Sequence, residues 1–304
     1  MKQSRKNPKT SGKIKLKRWS RLWRLAVCVF VCLASDSNAQ QARPIDGIED
    51  NSFLIEEAYN QEPGVVQHIL TAQYFKDHDK RPKIRGWALS FTQEWPLFSQ
   101  KHQISYTIPF SFVYEGSDRQ YGVEDILVNY RYQALEEDNR IPAFAPRLSL
   151  IVPSGSRDKG TGNGVFGLEW SLPFSKKIGD RFATHINYGL AILPRARTRI
   201  DEGLLSPKRT LITYNLGASL IYALTSRVHL MLEWNGIFEH DINDQGRDNH
   251  EFASLLSPGV RAAVIDGKDL QVVMGFATPI GTNRHASNYG AFLYFSVEHR
   301  FLGP

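Results

Sequence analysis

Cysteine is almost missing from this chain of 304 residues: there are two, Cys28 and Cys32, and none after them. Residues from 40 onward can form no disulfide among themselves, so a cross-linked framework is excluded. Long apolar runs are missing as well. No stretch of about 18 apolar residues occurs, and a helix needs roughly 20 to cross a bilayer, so a helical membrane protein is excluded. An even spread of charge is the third thing lacking. The formal net charge is +6, from 37 basic and 31 acidic residues. Ten of the basic residues (Lys2, Arg5, Lys6, Lys9, Lys13, Lys15, Lys17, Arg18, Arg21 and Arg24) lie within residues 1–39, with one acid, Asp36. The remainder holds 27 basic and 30 acidic residues, a net charge of −3. A basic surface for nucleic acid has no support there, and no nucleic-acid partner is expected.

What is present begins with that basic stretch. It runs into Leu25–Ala34, ten apolar residues, and then into Ser37-Asn38-Ala39. Basic region, short apolar run and small residues at both ends of the tripeptide are the layout of a secretory signal, with cleavage expected between Ala39 and Gln40. Val31 ahead of Cys32 does not suit a lipoprotein signal. The plainer reading is a buried apolar helix with a basic tail. Residues 40–50 read as a lead-in. Residues 51–60 read as a short helix, capped by Asn51 or Ser52, with Glu56 and Glu57 early in it where the helix dipole favours acids. Pro63-Gly64 would end it. Such a segment, within a lead-in over 40–66, could plug a pore.

From Val65 the apolar period becomes two. In residues 181–192, Phe182, Thr184, Ile186, Tyr188, Leu190 and Ile192 share one face, and Arg181, Ala183, His185, Asn187, Gly189 and Ala191 the other. Residues 103–114 and 227–238 alternate likewise. This is the pattern of strands with one apolar and one polar face. Twelve segments follow it: 67–75, 85–95, 102–114, 121–134, 143–152, 164–174, 181–193, 210–224, 227–238, 251–265, 270–280 and 288–301. Most are longer than the five or six residues usual in soluble proteins; tilted membrane strands need roughly 9–11. The connections alternate in length, as outer-membrane barrels alternate long outer loops with short periplasmic turns. The expected fold is all-β: a transmembrane antiparallel barrel of about 12 strands over 67–301, in the bacterial outer membrane, both chain ends on the periplasmic side.

Three segments carry a family resemblance: Asn51–His68, Gly122–Tyr132 and Pro146–Ser156. They resemble the outer-membrane transporter-like barrels grouped as the MetA-pathway of phenol degradation family, over roughly residues 50–301. The resemblance implies a barrel and the passage of small, often aromatic, compounds.

If the apolar faces meet lipid, then Glu94, Asp125, Arg131, Arg147, Glu169, His185, Glu233, Arg261, Glu298 and Arg300 point inward and line a pore. An arginine facing lipid at mid-depth would cost roughly 2–4 kcal/mol. The polar face serves either as a solute pathway or as an ion-pair network that merely fills the interior. Glu169 and Glu233 fall mid-strand, most of the arginines nearer the periplasmic ends, so the middle of the lumen is expected to be the more acidic part. Trp87 and Trp95 share one strand face at a height difference of roughly 20 Å. With Trp234 they are read as membrane-interface aromatics. Ordinary core tryptophan is the bland alternative.

No chemistry is legible. Gly155–Gly164 is rich in glycine but lacks the Gly-Lys-Ser/Thr ending of a phosphate loop, and a strand follows where a helix is required. His285 and Ser287 could hint at a hydrolase, but no orienting acid is identifiable. Asp241, Asp244, Asp248 and His250 could hold a cation, though not with EF-hand spacing. The expectation is a channel-like barrel, not an enzyme, with no catalytic residues, cofactor or metal. Its partners would be outer-membrane lipid, the barrel assembly machinery and a small-molecule solute. The alternatives are a barrel enzyme acting on lipid and a non-transporting structural barrel.

Overall fold

Alternating side chains need a surface with two different sides, and a closed sheet supplies it. The computed structural model describes residues 52–77, 83–197, 199–201, 204–242 and 248–301. The signal segment, the cleavage point and Asn51 lie outside the described residues. Twelve strands form the wall: β1 (Val65–Asp77), β2 (Ile84–Leu97), β3 (Ser99–Glu115), β4 (Ile126–Tyr132), β5 (Arg147–Val152), β6 (Gly167–Ile178), β7 (Phe182–Ala196), β8 (Arg209–Ala223), β9 (Val228–Ile242), β10 (Asp248–Asp266), β11 (Leu270–Ala277) and β12 (Tyr289–Arg300). Each pairs antiparallel with its predecessor. β12 returns to β1 in unbroken register from Val65↔Arg300 to Lys76↔Tyr289. The sheet therefore closes without a free edge, as a span through hydrocarbon demands. Val65 opposite Arg300 also puts the two ends of the wall at one rim.

The two faces behave oppositely. Ile186 is 55% exposed, while its neighbours His185 and Asn187 are 1% and 2% exposed. Leu232 is 44% exposed between the buried Met231 and Glu233. Most polar side chains point inward and most large apolar ones outward, with apolar groups such as Met231, Val273 and Phe292 also buried inside.

Three strands are shorter than the sequence pattern suggests. The segment 121–134 is split: Asp118–Val123 pairs with the upper part of β3, and β4 with the lower part. Between them Asp125 turns in to accept loop amides. The segment 143–152 is split at Pro146, and 270–280 at Pro279. Pairing lapses beside Pro146 and Pro279, which have no N–H for the ladder, though it runs on through Pro109, Pro173 and Pro258. The alternation of loop lengths holds with two exceptions. The Glu115–Asp118 hairpin is tight, with Gly116 at φ 57°, and the connection from β4 to β5 is long.

One expectation is overturned. Among the described residues there is no helix, and Ser52–Asn60 is a bent, non-helical segment. Its backbone groups go to the barrel wall instead of to one another.

Candidate functional site: the barrel lumen

Residues 52–62 run through the lumen, and polar side chains from most of the wall reach them. The Glu233 carboxylate of β9 accepts the amides of Phe53 (2.9 Å) and Leu54 (3.0 Å). Ser175 Oγ of β6 accepts the Ala58 amide at 2.8 Å and lies 2.7 Å from His185 Nδ1 of β7. Gln133 accepts from Asn60 N (3.2 Å) and donates to Ala58 O (2.8 Å). Gln103 of β3 accepts from Gln61 N at 2.8 Å and donates to Glu94 at 2.7 Å. The Gln61 side chain donates to Gln67 of β1.

Arginine does most of the tying. Arg131 donates to Asn60 Oδ1 (2.8 Å), Glu56 Oε1 (3.1 Å), Glu57 O (3.2 Å) and Tyr59 O (2.8 Å). Arg147 stands directly opposite Arg131 across the β4–β5 ladder. Two guanidinium groups so placed repel, and Glu56 bridges them, its second oxygen 2.8 Å from Arg147. Glu57 faces Arg261 of β10 and His185, each at 3.7 Å. Tyr59 donates to Glu137 at 2.6 Å. Burial first, and the neighbouring Glu137 second, hold this phenol far above its ordinary range, so it stays protonated and a donor.

The segment is also keyed by shape. Phe53 sits against Phe292 and Tyr294 of β12, at ring separations of 5.5 and 5.4 Å. The wall opposite it is glycine. A Cβ at Gly275 would lie 2.3 Å from the Phe53 ring, and one at Gly217 would lie 2.4 Å from Ile55 Cδ1. These inward glycines are sockets for Phe53 and Ile55.

Of the ten charged residues and histidine named above, nine have largely hidden side chains, and Arg300 is half-buried at the rim near Glu62 (3.8 Å) and Asp269 (3.5 Å). They do not act as one constellation. Glu94, Arg131, Arg147, His185, Glu233 and Arg261 meet on residues 53–61 or their immediate partners. Asp125 is apart, higher in the wall. It accepts the amides of Gly155 (3.0 Å) and Asn163 (3.0 Å). The glycine-rich stretch thus turns its amides on an internal carboxylate. Glu169 is fully buried opposite Ser149, and Glu298 stands between Gln67 and Gln271.

Trp87 and Trp95 face outward near opposite ends of β2, against Tyr74 and Tyr106 respectively. Trp234 also faces outward but sits midway along β9, its Nε1 donating to Ser254 at 3.0 Å. His285 approaches Arg284 (3.1 Å) and Glu251 (3.9 Å), while Ser287 is buried. Asp244 and the side chains of Asp241 and Asp248 lie outside the described residues. Among the described residues no three acids, histidines or cysteines group to hold a metal.

The sequence reading missed the inner half of this site: Phe53, Ile55, Glu56, Glu57, Asn60 and Gln61. A signal for it existed in the glycines at inward positions of β8, β10 and β11. A strand face otherwise filled with bulky or polar groups has no reason to lose its side chain unless something approaches it.

The model of the family described as "Putative MetA-pathway of phenol degradation" matches residues 55–295. No curated protein matches the sequence. An outer-membrane channel from Pseudomonas putida F1 has a similar fold, with TM-score 0.58 and 12% identity over 79% of this chain and 97% of that one. The translocator domain of the autotransporter NalP from Neisseria meningitidis is also similar, with TM-score 0.50 and 12% identity over 79% of this chain and 90% of that one.

Proposed function

We propose, from the premise that this chain belongs to the putative MetA-pathway of phenol degradation family, that it is a channel-type barrel of the bacterial outer membrane passing small, aromatic or hydrophobic solutes. It works without a catalytic step, cofactor or metal. Its surroundings are outer-membrane lipid, against which Trp87 and Trp95 mark the two edges of the apolar band. Its maturation needs removal of residues 1–39 and the barrel assembly machinery. The similarity to an outer-membrane channel supports the class; the lumen supports the mode. The observation that carries the reading is a polar lumen whose filling is a separate piece of chain. An interior meant only to be solid would be filled by wall side chains, as eight-stranded barrels are. Here residues 52–62 fill a space that the wall leaves open, and they enter from one rim. They are a plug, and the charged residues around them hold it.

The test is single-channel conductance of the refolded protein in planar bilayers, with and without residues 52–62. The shortened barrel should conduct several times more than the full chain. A folded, shortened barrel that passes neither ions nor small solutes would leave a structural barrel as the better reading.

A further inference from the structure

The plug does not fill the lumen evenly. Beside residues 52–56 a cavity of about 200 Å³ remains, and its outer wall is β1, β2 and β3. The inward side chains there are hydroxyls in opposed pairs. Thr71 and Ser90 lie 2.7 Å apart across β1–β2, and Thr92 and Thr107 lie 2.9 Å apart across β2–β3. These four line the cavity, while Phe53, Ile69 and Tyr294 give it an apolar flank. Its floor carries Glu94, Arg131, Arg147 and Glu56, two acids and two bases in contact with one another. The floor therefore adds no net charge. On the far side of the plug the wall is in contact with it, through Glu233 and Ser175.

We infer that the solute path through the plugged barrel runs along β1–β3, over the hydroxyls of Thr71, Ser90, Thr92 and Thr107, and that it takes uncharged solutes of single-ring size bearing a hydroxyl. The inference rests on the channel reading above. Size sets the first limit: an apolar protein cavity of about 150 Å³ suffices for benzene, so one ring fits and two do not. Chemistry sets the second. Threonine and serine hydroxyls both donate and accept, so they exchange bonds with a passing hydroxyl. A passing ion would instead lose hydration with no opposite charge left to replace it. The apolar flank accommodates a ring face. Glu233, by contrast, spends its carboxylate on the plug and does not line this path.

Both native cysteines precede Gln40, so single cysteines report cleanly. Liposomes carrying the full barrel should swell faster in arabinose than in sucrose or gluconate. In the Ser90→Cys and Thr92→Cys proteins, a small methanethiosulfonate reagent should abolish most of the arabinose flux. In Ser257→Cys, inward on β10 opposite Glu233, it should leave the flux unchanged. Equal block at Ser257→Cys and Thr92→Cys, or none at Ser90→Cys and Thr92→Cys, would overturn the route while leaving the channel standing. So would sucrose or gluconate passing as fast as arabinose. No flux in any solute, even after removal of residues 52–62, would overturn route and channel together.

Discussion

Glu56 stands between two arginines that face each other across a ladder, and its position shows how the plug is specified. Removing two charges from water costs several kcal/mol per ion, which their attraction only roughly offsets. The ion cluster therefore adds little net stability, but it punishes any other register, because a shifted Glu56 would leave Arg131 and Arg147 repelling without a bridge. Net stability comes from Phe53 and Ile55, each worth about 1.5–3 kcal/mol when buried. The Gly275 socket makes this testable. In Gly275→Val the new side chain should collide with the Phe53 ring and destabilise the docked plug by about 1–3 kcal/mol. Phe53→Ala alone should cost about 3–5 kcal/mol. The double substitution should cost less than the sum, because the valine then fills the space left by the ring. Conductance in planar bilayers, which rises as the plug undocks, reads all three, and strict additivity of the docking free energies would mean that Gly275 is not the socket.

At the scale of elements, the strands were legible because a membrane-facing sheet forces a period of two on the sequence, and no tertiary effect reverses it. Ile186 between His185 and Asn187 could face only one way. What local pattern could not show was where pairing stops. Pro146 and Pro279 were visible, yet an alternating pattern runs past them, since alternation records side-chain direction and not the ladder. The short helix failed for a related reason. Glu56 and Glu57 look like acids placed for a helix dipole, but their partners are Arg131, Arg147 and Arg261, 75 or more residues along the chain, and Glu233 takes the amides that a helix cap would have taken. Asp125 belongs to the same class. Its two oxygens collect the Gly155 and Asn163 amides and so fold the 153–166 loop against the wall. Asp125→Asn keeps the shape and removes the charge, and bonds to a charged acceptor contribute about 1.5–3 kcal/mol each. The expected result is faster proteolysis within 153–166 in an otherwise intact barrel. A loop as resistant as in the parent protein would show that Asp125 is not its anchor.

At the scale of the whole molecule, one property decides everything else: which face of the wall meets lipid. Leu232 and Glu233 are adjacent on β9, 44% and 0% exposed, and they put the question to a single strand. In a membrane barrel, Leu232→Arg moves a charge into hydrocarbon, at a cost of about 2–4 kcal/mol near mid-depth. The resistance of the folded band to heat in detergent should fall accordingly, and folding into bilayers should slow. Glu233→Gln touches only the lumen. It keeps a side-chain carbonyl but loses the charge that holds the Phe53 and Leu54 amides, so the wall should keep its heat resistance while the plug loosens and conductance rises. A soluble sheet would give the reverse order. There Leu232→Arg would be a harmless surface change, and loss of a buried, hydrogen-bonded carboxylate would be the damaging one. If the two substitutions were measured and Glu233→Gln proved the more destabilising to the wall, the inside and outside of this barrel would have been assigned the wrong way round.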